Sequence, residues 1–319
     1  MNVLVTGGAG FIGANLCSRL LEQGGHTVRV LDDLSTGARE NLDGLDVELV
    51  EGSILDAAAV DDAVRGAHAV VHLAARPSVP RSIKDPVASH AANATGTVMI
   101  LEAARAEGDV HVIVAGSSSV YGANPTLPKR EDLATLPLSP YGASKLATEA
   151  YALSYQYSFG MPVLAFRFFN VFGPLQGADH AYAAVVPRFV SAALEGRPAI
   201  VQGDGEQSRD FTYVGTVCDV ITDAIGRRVT SPGPVNLAYG TRTSLLELLD
   251  RLESIVGIPI AREHESPRAG DVRHSQADST RVRELFPDVT PVDLDDALHA
   301  TVAWFRAEKL AGTSPAGTG

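Results

Sequence analysis

Cysteine is scarce in this 319-residue sequence, with only Cys17 and Cys218 present. Two cysteines cannot build a disulfide framework, and these two lack metal-ligand spacing, so they read as small buried apolar residues. None of the nine histidines has zinc spacing either, and no metal site is expected. No apolar run reaches the roughly 18 residues that a membrane span requires. The first sixteen residues carry no basic region and no cleavage pattern. A signal peptide is therefore not expected, and the expected location is cytoplasmic. Positive charge is in deficit, with 26 Lys and Arg against 38 Asp and Glu and a net charge of −12. That balance favours solubility and argues against general nucleic-acid or membrane binding, although a local basic cluster can still hold a phosphate.

Hydrophobic residues make up 45% of the chain, so it is globular, and its length allows a large core and two lobes. Apolar runs predict strands at 2–6, 26–31, 46–51, 69–73, 110–115 and 162–168. Helical periodicity falls at 11–23, 57–65, 89–106 and 139–159. Strand–helix alternation at this pitch defines an α/β protein with a doubly wound parallel sheet of the Rossmann type. Beyond about residue 170 the pattern loosens into loops, helices at 185–195 and 244–255, and a short strand at 235–238. The expected organisation is a dinucleotide-binding domain at 1–166 plus roughly 209–235. A smaller α/β substrate-binding lobe takes 167–208 and 236–310, and 311–319 form a disordered tail.

Gly7, Gly10 and Gly13 follow Val3-Leu4-Val5-Thr6 and open the first helix. Glycines there let the backbone approach a pyrophosphate, and the helix N-terminus offers free N–H groups to the phosphates. Asp32 ends the second strand, 25 residues beyond Gly7. A carboxylate there accepts from the adenosine ribose hydroxyls and repels a 2′-phosphate, which favours NAD over NADP. Ser117-Ser118-Ser119 follow the fifth strand at its carboxyl end, where ligands of such sheets sit. Tyr141 and Lys145 stand four apart in Ser-Pro-Tyr-Gly-Ala-Ser-Lys, on one face of a helix. The ammonium is expected to lower the phenol pKa from about 10 and so make Tyr141 a base near neutrality. His72 reads as a partnered core histidine and Arg167 as a buried structural cation. Arg209 and Arg268 carry guanidinium groups suited to a phosphate.

These residues resemble the extended short-chain dehydrogenase/reductase superfamily over about residues 1–308. Within it the chain is most similar to the UDP-sugar 4-epimerases, especially those accepting UDP-N-acetylglucosamine. Segments 78–86, 167–174, 181–188, 203–210 and 270–278 carry that narrower resemblance. The resemblance implies that NAD is contacted by Gly7, Gly10, Phe11, Ile12, Gly13, Asp32, Ser53, Ile54, Leu73, Ala74, Ala75, Asn93, Tyr141, Lys145 and Phe168. It implies Tyr141 as base, Lys145 on the nicotinamide ribose and Ser117 on the sugar O4. Val79, Ser118, Ser119, Asn170, Val186, Arg209, Arg268, Asp271 and Ser275 complete the implied UDP-sugar site, and a homodimer is implied as well. Where related dehydratases carry an Asp-Glu pair or a lone Glu, this chain has Ser118 and Ser119. Without a carboxyl acid/base, proton abstraction at sugar C5 lacks an agent, and C4 epimerisation needs none. Ser275 stands where glucose-restricted relatives carry a tyrosine, which leaves room for a 2-acetamido group. UDP-glucuronate 4-epimerases share the serine cluster and stay open as an alternative, as does a dehydratase using another acid/base. Intact Ser117, Tyr141 and Lys145 weigh against a non-catalytic NAD-binding protein. Two departures stand out: Arg76-Pro77 replaces a lysine common in the family, and Ser53 replaces an adenine-facing aspartate.

Overall fold

The computed structural model describes residues 1–178, 183–266 and 272–312. In chain order the first elements are β1 (Asn2–Thr6), α1 (Phe11–Gln23), β2 (Thr27–Asp32), β3 (Val47–Glu51), α2 (Ala57–Val64) and β4 (Ala69–His72). There follow α3 (Val79–Lys84), α4 (Pro86–His90), α5 (Gly96–Glu107), β5 (His111–Ser117), α6 (Pro140–Phe159) and β6 (Val163–Phe168). Seven parallel strands are ordered β11-β6-β5-β4-β1-β2-β3, with β11 at Val235–Leu237; the short β7 (Val171–Phe172), β9 (Ser208–Arg209) and β10 (Thr212–Tyr213) lie outside this sheet. The chain winds outward from β1 to β3, then returns to β4 on the other side of β1. That reversal opens a crevice at the carboxyl ends of β1 and β4.

Alternation along the strands explains why both sheet faces are covered. Val3 and Val5 pack into one apolar cluster with Leu16, Cys17 and Leu20 of α1. Leu4 points the other way, into a cluster with Val60 of α2, Ile100 of α5 and Ala152 of α6. The first cluster also holds Val217 and Ile221 of α8 (Val214–Arg227). Cys17 and Cys218 are both free and buried there. A third cluster holds the remaining body together. It joins α7 (Val185–Glu195), β8 (Ala199–Gln202), α9 (Leu245–Val256) and α11 (Leu294–Ala311). No helix among the described residues is long and apolar enough to cross a membrane.

The structure departs from the sequence pattern in four places. The helix expected at 89–106 is α4, a wider π turn at Ala91–Thr95, and α5. Helix α3 was not expected, because it is six residues long and Pro80 breaks its periodicity. The strand expected for the smaller lobe at 235–238 pairs with β6 instead, Asn236 opposite Arg167. The boundary expected at 235/236 therefore falls inside a strand of the large sheet, whose three residues are too short to show which body owns them. Helix α11 runs through Ala311 and ends at Gly312, φ 71°. The start of the expected tail is thus helical, and 313–319 lie outside the described residues.

Candidate active site

A cleft of about 1820 Å³ runs along the carboxyl end of the sheet. Its floor is the turn between β1 and α1, where Gly7 adopts φ 72°. A Cβ on Gly7 would lie 2.7 Å from the Ala74 nitrogen, and one on Gly13 would lie 2.2 Å from the Gly7 carbonyl oxygen. The glycines therefore press the turn against the end of β4 and against α1 itself. Gly10 stands just before helix α1, which has no side-chain cap and no acid in its first turn. Its leading N–H groups are left for an anion. Asp32 is buried, its Oδ2 accepting from Ala9 N at 2.9 Å and its Oδ1 from Leu34 N at 2.9 Å. Burial raises its pKa, opposed by these two N–H groups. Each oxygen keeps lone pairs for ribose hydroxyls. The cradle fits a dinucleotide: backbone close to the phosphates, a helix N-terminus, and a carboxylate at the ribose end.

The hydroxyl and amine groups arrive from the other side. Ser139 caps α6 by accepting from Gly142 N at 3.1 Å, and Pro140 fills the first turn. Tyr141 and Lys145 then line the cleft together with Ser117, Ser118 and Ser119 at the end of β5. Ser117 Oγ accepts from Ser119 N at 3.1 Å, and its hydroxyl lies on the Tyr141 side, where it favours the phenolate. Lys145 Nζ is buried and donates to the Ala115 carbonyl at 2.8 Å. Burial pushes its pKa down to about 8.

The expected low phenol pKa does not hold for the chain by itself. Burial raises Tyr141, and the Ser117 hydroxyl pulls it partway back. The Lys145 ammonium is itself weakened by burial and engaged by the Ala115 carbonyl. Behind them His72 is buried, with Nδ1 at 2.8 Å from Thr6 Oγ1 and Nε2 at 3.1 Å from Thr97 Oγ1. Burial, and then the charge of Lys145, bring its pKa down to about 3. Arg167 is buried against Glu149, with two 2.7 Å hydrogen bonds, and stacks over Tyr121 at 4.7 Å.

Of the residues implied for NAD, Gly7, Gly10, Phe11, Ile12, Gly13, Asp32, Ser53, Ile54, Leu73, Ala74, Ala75, Tyr141, Lys145 and Phe168 all line the cleft. Asn93 does not: it is buried behind the wall, tied to the Arg76 backbone and to Ser144. Asn170 lines both this cleft and a smaller cavity of about 220 Å³ that also holds Val186, Arg188, Gln207 and Arg209. Its φ is 30°, and its Nδ2 donates to the Asp210 carbonyl at 3.2 Å. Asp210 is buried and accepts from Gly240 N, Thr241 Oγ1 and Ala277 N at 2.9–3.1 Å. Burial pushes its carboxyl up to about 6.

Val79 is not on the cleft wall, although its neighbours Ser78 and Arg81 are. Ser275 lines neither cavity. It is buried, and its N–H donates to the Ser208 carbonyl at 3.0 Å because the chain bridges Ser208 to His274. The expected gate at Ser275 is thus set back from the cleft. Arg268 and Asp271 lie outside the described residues.

The wall also carries Arg76, which the sequence marked only as a departure from the family, and residues that no pattern marked. Arg76, Ser78, Arg81 and Lys84 line it from the loop after β4 and from α3; Gln176, Trp304 and Glu308 line it further along. Capping signals pointed to the first group: Ser78 accepts from Arg81 N with Pro80 close behind, and Asp85 accepts from Ala88 N with Pro86 next. Ser78 itself stands at φ 100°.

A dinucleotide cradle joined to a Ser, Tyr and Lys set on one sheet edge defines an NAD-dependent oxidoreductase-type site. The chain belongs to the NAD dependent epimerase/dehydratase family, which it matches over residues 3–238. It is 39% identical over 312 residues to the UDP-glucose 4-epimerase of Mycolicibacterium smegmatis, covering 96% of this chain and 99% of that one. It is similar to the UDP-N-acetylglucosamine 4-epimerase of Methanobrevibacter ruminantium, solved with UDP-N-acetylmuramic acid (34% identity, TM-score 0.90, 96% and 98% covered). It is also similar to the Thermus thermophilus UDP-glucose 4-epimerase solved with NAD (33% identity, TM-score 0.87, 96% and 99% covered).

Proposed function

We propose that this protein is an NAD-dependent epimerase that inverts C4 of a UDP-hexose through a transient 4-keto sugar. Its substrates are UDP-N-acetylglucosamine and UDP-N-acetylgalactosamine, UDP-glucose and UDP-galactose, or both pairs. One observation carries the reading: Ser117, Tyr141 and Lys145 share a cleft with the glycine turn, and serines rather than carboxyl residues follow Ser117. NAD supplies, when bound, the hydride acceptor and donor for C4 and, oxidised, a positive charge in the cleft.

Each side chain then has a task. Tyr141 takes the proton of the sugar 4-hydroxyl and later returns one to the opposite face. Its burial makes the phenolate costly in the chain alone, so the base is switched on by added positive charge. Ser117, whose hydroxyl favours that phenolate, holds the sugar O4 and the shared proton. Lys145 has two N–H groups beyond the one given to Ala115, enough for a ribose diol. Gly7, Gly10 and Gly13 admit the pyrophosphate, and Asp32 takes the adenosine ribose. Asn170, Val186 and Arg209, around the smaller cavity, hold the uridine diphosphate. A firmly held nucleotide beside a wide cleft lets the keto sugar turn over between the two hydride transfers. Ser275 is set back from the cavity walls, so the breadth of the cleft, not this gate, supports entry of an N-acetyl group.

Homodimerisation belongs to the same proposal. Helix α6 leaves Tyr151, Tyr157 and Phe159 exposed, and α4 leaves Val87 at 77% exposure. Exposed apolar side chains on these two helices suit a second copy. A cytoplasmic location belongs to the same proposal and is supported by the two free, buried thiols.

Incubation with UDP-glucose, UDP-N-acetylglucosamine and UDP-glucuronate, without added NAD, tests the reading. Chromatography is expected to show a C4 epimer of at least one of the first two at unchanged mass. Products lighter by one water, or conversion of the glucuronate alone, would replace this reading by a dehydratase or a glucuronate epimerase.

A further inference from the structure

Ser208 is buried in β9, yet its hydroxyl meets two basic side chains. Arg242 Nε donates to it at 3.1 Å, and His274 Nδ1 lies 2.9 Å away. A guanidinium can only donate, so the hydroxyl accepts from Arg242. Among the described residues its own hydrogen then has one partner left, Nδ1 of His274. Buried hydroxyls are hydrogen-bonded, so Nδ1 is the acceptor of this bond. The ring is therefore neutral and carries its proton on Nε2.

The same junction aims Arg209. Ser208 N donates to the Arg273 carbonyl and Ser275 N to the Ser208 carbonyl, both at 3.0 Å, which lays β9 beside the segment 273–275. Strand β9 also pairs with β12 (Thr243–Ser244), which brings in Arg242 just before it. Arg209 Nη1 donates to the Ser208 carbonyl at 2.9 Å and to the Arg273 carbonyl at 3.2 Å. Its guanidinium is thus held by one carbonyl from each segment, on the wall of the smaller cavity. If the two segments slide apart, the carbonyls separate and the guanidinium loses its aim.

The surrounding charges favour a neutral ring. Burial first, and then Arg242, Arg273 and Arg209, hold His274 below its ordinary pKa; Asp204, paired with Arg273 at 2.8 Å, works the other way. Protonation would set a hydrogen on Nδ1 against the Ser208 hydroxyl and add a fourth positive charge to three. Asp210, next in the chain to Arg209, is the other buried titratable group at this junction.

We infer that His274 and Ser208 are positioning residues for Arg209: a hydroxyl-to-imidazole bond clamps β9 to the segment 273–275 and so fixes the guanidinium that the smaller cavity presents to a diphosphate. For its ligand the clamp rests on the UDP-hexose reading; its geometry does not. Because the clamp needs a bare Nδ1, affinity for the nucleotide sugar falls when the ring is protonated.

His274→Ala, His274→Asn and Ser208→Ala, purified with NAD bound, provide the test. Titration calorimetry uses UDP-glucose and UDP-N-acetylglucosamine, whose diphosphate diesters neither gain nor lose a proton between about pH 5 and 8. Asparagine offers Oδ1 in place of Nδ1 and stays neutral. At pH 8, His274→Ala and Ser208→Ala are each expected to bind about tenfold more weakly, and His274→Asn within about threefold of the parent. Lowering the pH from 8 to 5 is expected to weaken the parent at least about threefold more than His274→Asn, within the range below the ordinary 6.5 of histidine. Asp210, pushed up to about 6, titrates in both proteins and drops out of that comparison. Parental affinity in His274→Ala, an Asn variant no better than Ala, or a parent that loses no more than His274→Asn at low pH overturns the inference. A second readout needs no nucleotide: the nitrogen resonances of His274 at pH 8. They are expected to report the Nε2–H ring and to shift in Ser208→Ala. An Nδ1–H ring, or a ring indifferent to Ser208, overturns the clamp. A parent that binds neither sugar refutes the UDP-hexose reading alone, and the His274 resonances still decide this one.

Discussion

Gly13→Ala puts a methyl group where the turn has no space. The added Cβ would stand 2.2 Å from the Gly7 carbonyl oxygen and 2.6 Å from Gly8 Cα. Carbon and oxygen normally approach no closer than about 3.3 Å, so the backbone must move by about 1 Å. Neither obstacle is a side chain that can swing aside. In an open helix the same exchange would favour folding by about 1 kcal/mol; here overpacking costs about 1–3 kcal/mol, leaving stability between unchanged and about 2 kcal/mol lower. Binding suffers more, because the displaced turn is the surface that meets the phosphates. Losing one or two charge-assisted hydrogen bonds, at about 1.5–3 kcal/mol each, weakens NAD by roughly tenfold to twenty-thousandfold. Gly10→Ala is the internal control, since its Cβ meets only Gly7 O, at 3.2 Å. A neighbour yielding a few tenths of an ångström limits that loss to about tenfold. Nicotinamide released from the purified proteins and titration calorimetry on stripped protein read both variants, with melting curves alongside. Gly13→Ala binding NAD within twofold of the parent, or Gly10→Ala binding worse than Gly13→Ala, would refute the steric account of this turn.

Tyr141→Phe is expected to keep NAD and lose roughly 10²–10⁴-fold in turnover; steady-state rates near the parent's remove Tyr141 as the base. Asp32→Ala is expected to narrow the preference for NAD over NADP by about tenfold or more, and unaltered discrimination in paired titrations contradicts its ribose role. Glu149→Ala strands a buried guanidinium, so urea unfolding is expected to show a loss of about 3–5 kcal/mol, largely recovered when Arg167→Met is added. Lys145, at about 8 against an ordinary 10.5, binds its proton more weakly in the folded than in the unfolded chain. Between those values stability is expected to rise with pH, while turnover falls as pH passes through about 8 and the ammonium is lost. Turnover flat from pH 7 to 9 contradicts the second part.

Legibility in the sequence tracked the range of the signal. The β1–α1 turn was clear because strand, glycines and helix follow within a few residues and one mechanism needs them all. Helix α6 was equally clear, with Ser139 and Pro140 at its head and Gly160, φ 69°, at its end. Asn93 was assigned to the cofactor by resemblance and by no pattern of its own, and the structure holds it behind the wall against Arg76 and Ser144. Ser275 was set at the sugar pocket by resemblance, and a bridge between Ser208 and His274, formed by residues far apart in sequence, leaves it outside both cavity linings. Arg81 and Lys84 were hidden by a six-residue helix, too brief for periodicity. The phenol's raised pKa was invisible because spacing reports proximity to a charge but not the desolvation shared with it.

The chain leaves the large sheet after β6, comes back through α8 and β11, departs again for α9, returns at α10 (Thr280–Leu285) beside β11, and finishes in α11. The two apolar bodies are therefore stitched together rather than strung on one cord. No single peptide bond, if cut, sets either of them loose. Any breathing of the mouth that admits a nucleotide sugar must bend several crossings at once, so it is small in amplitude and spread over many residues.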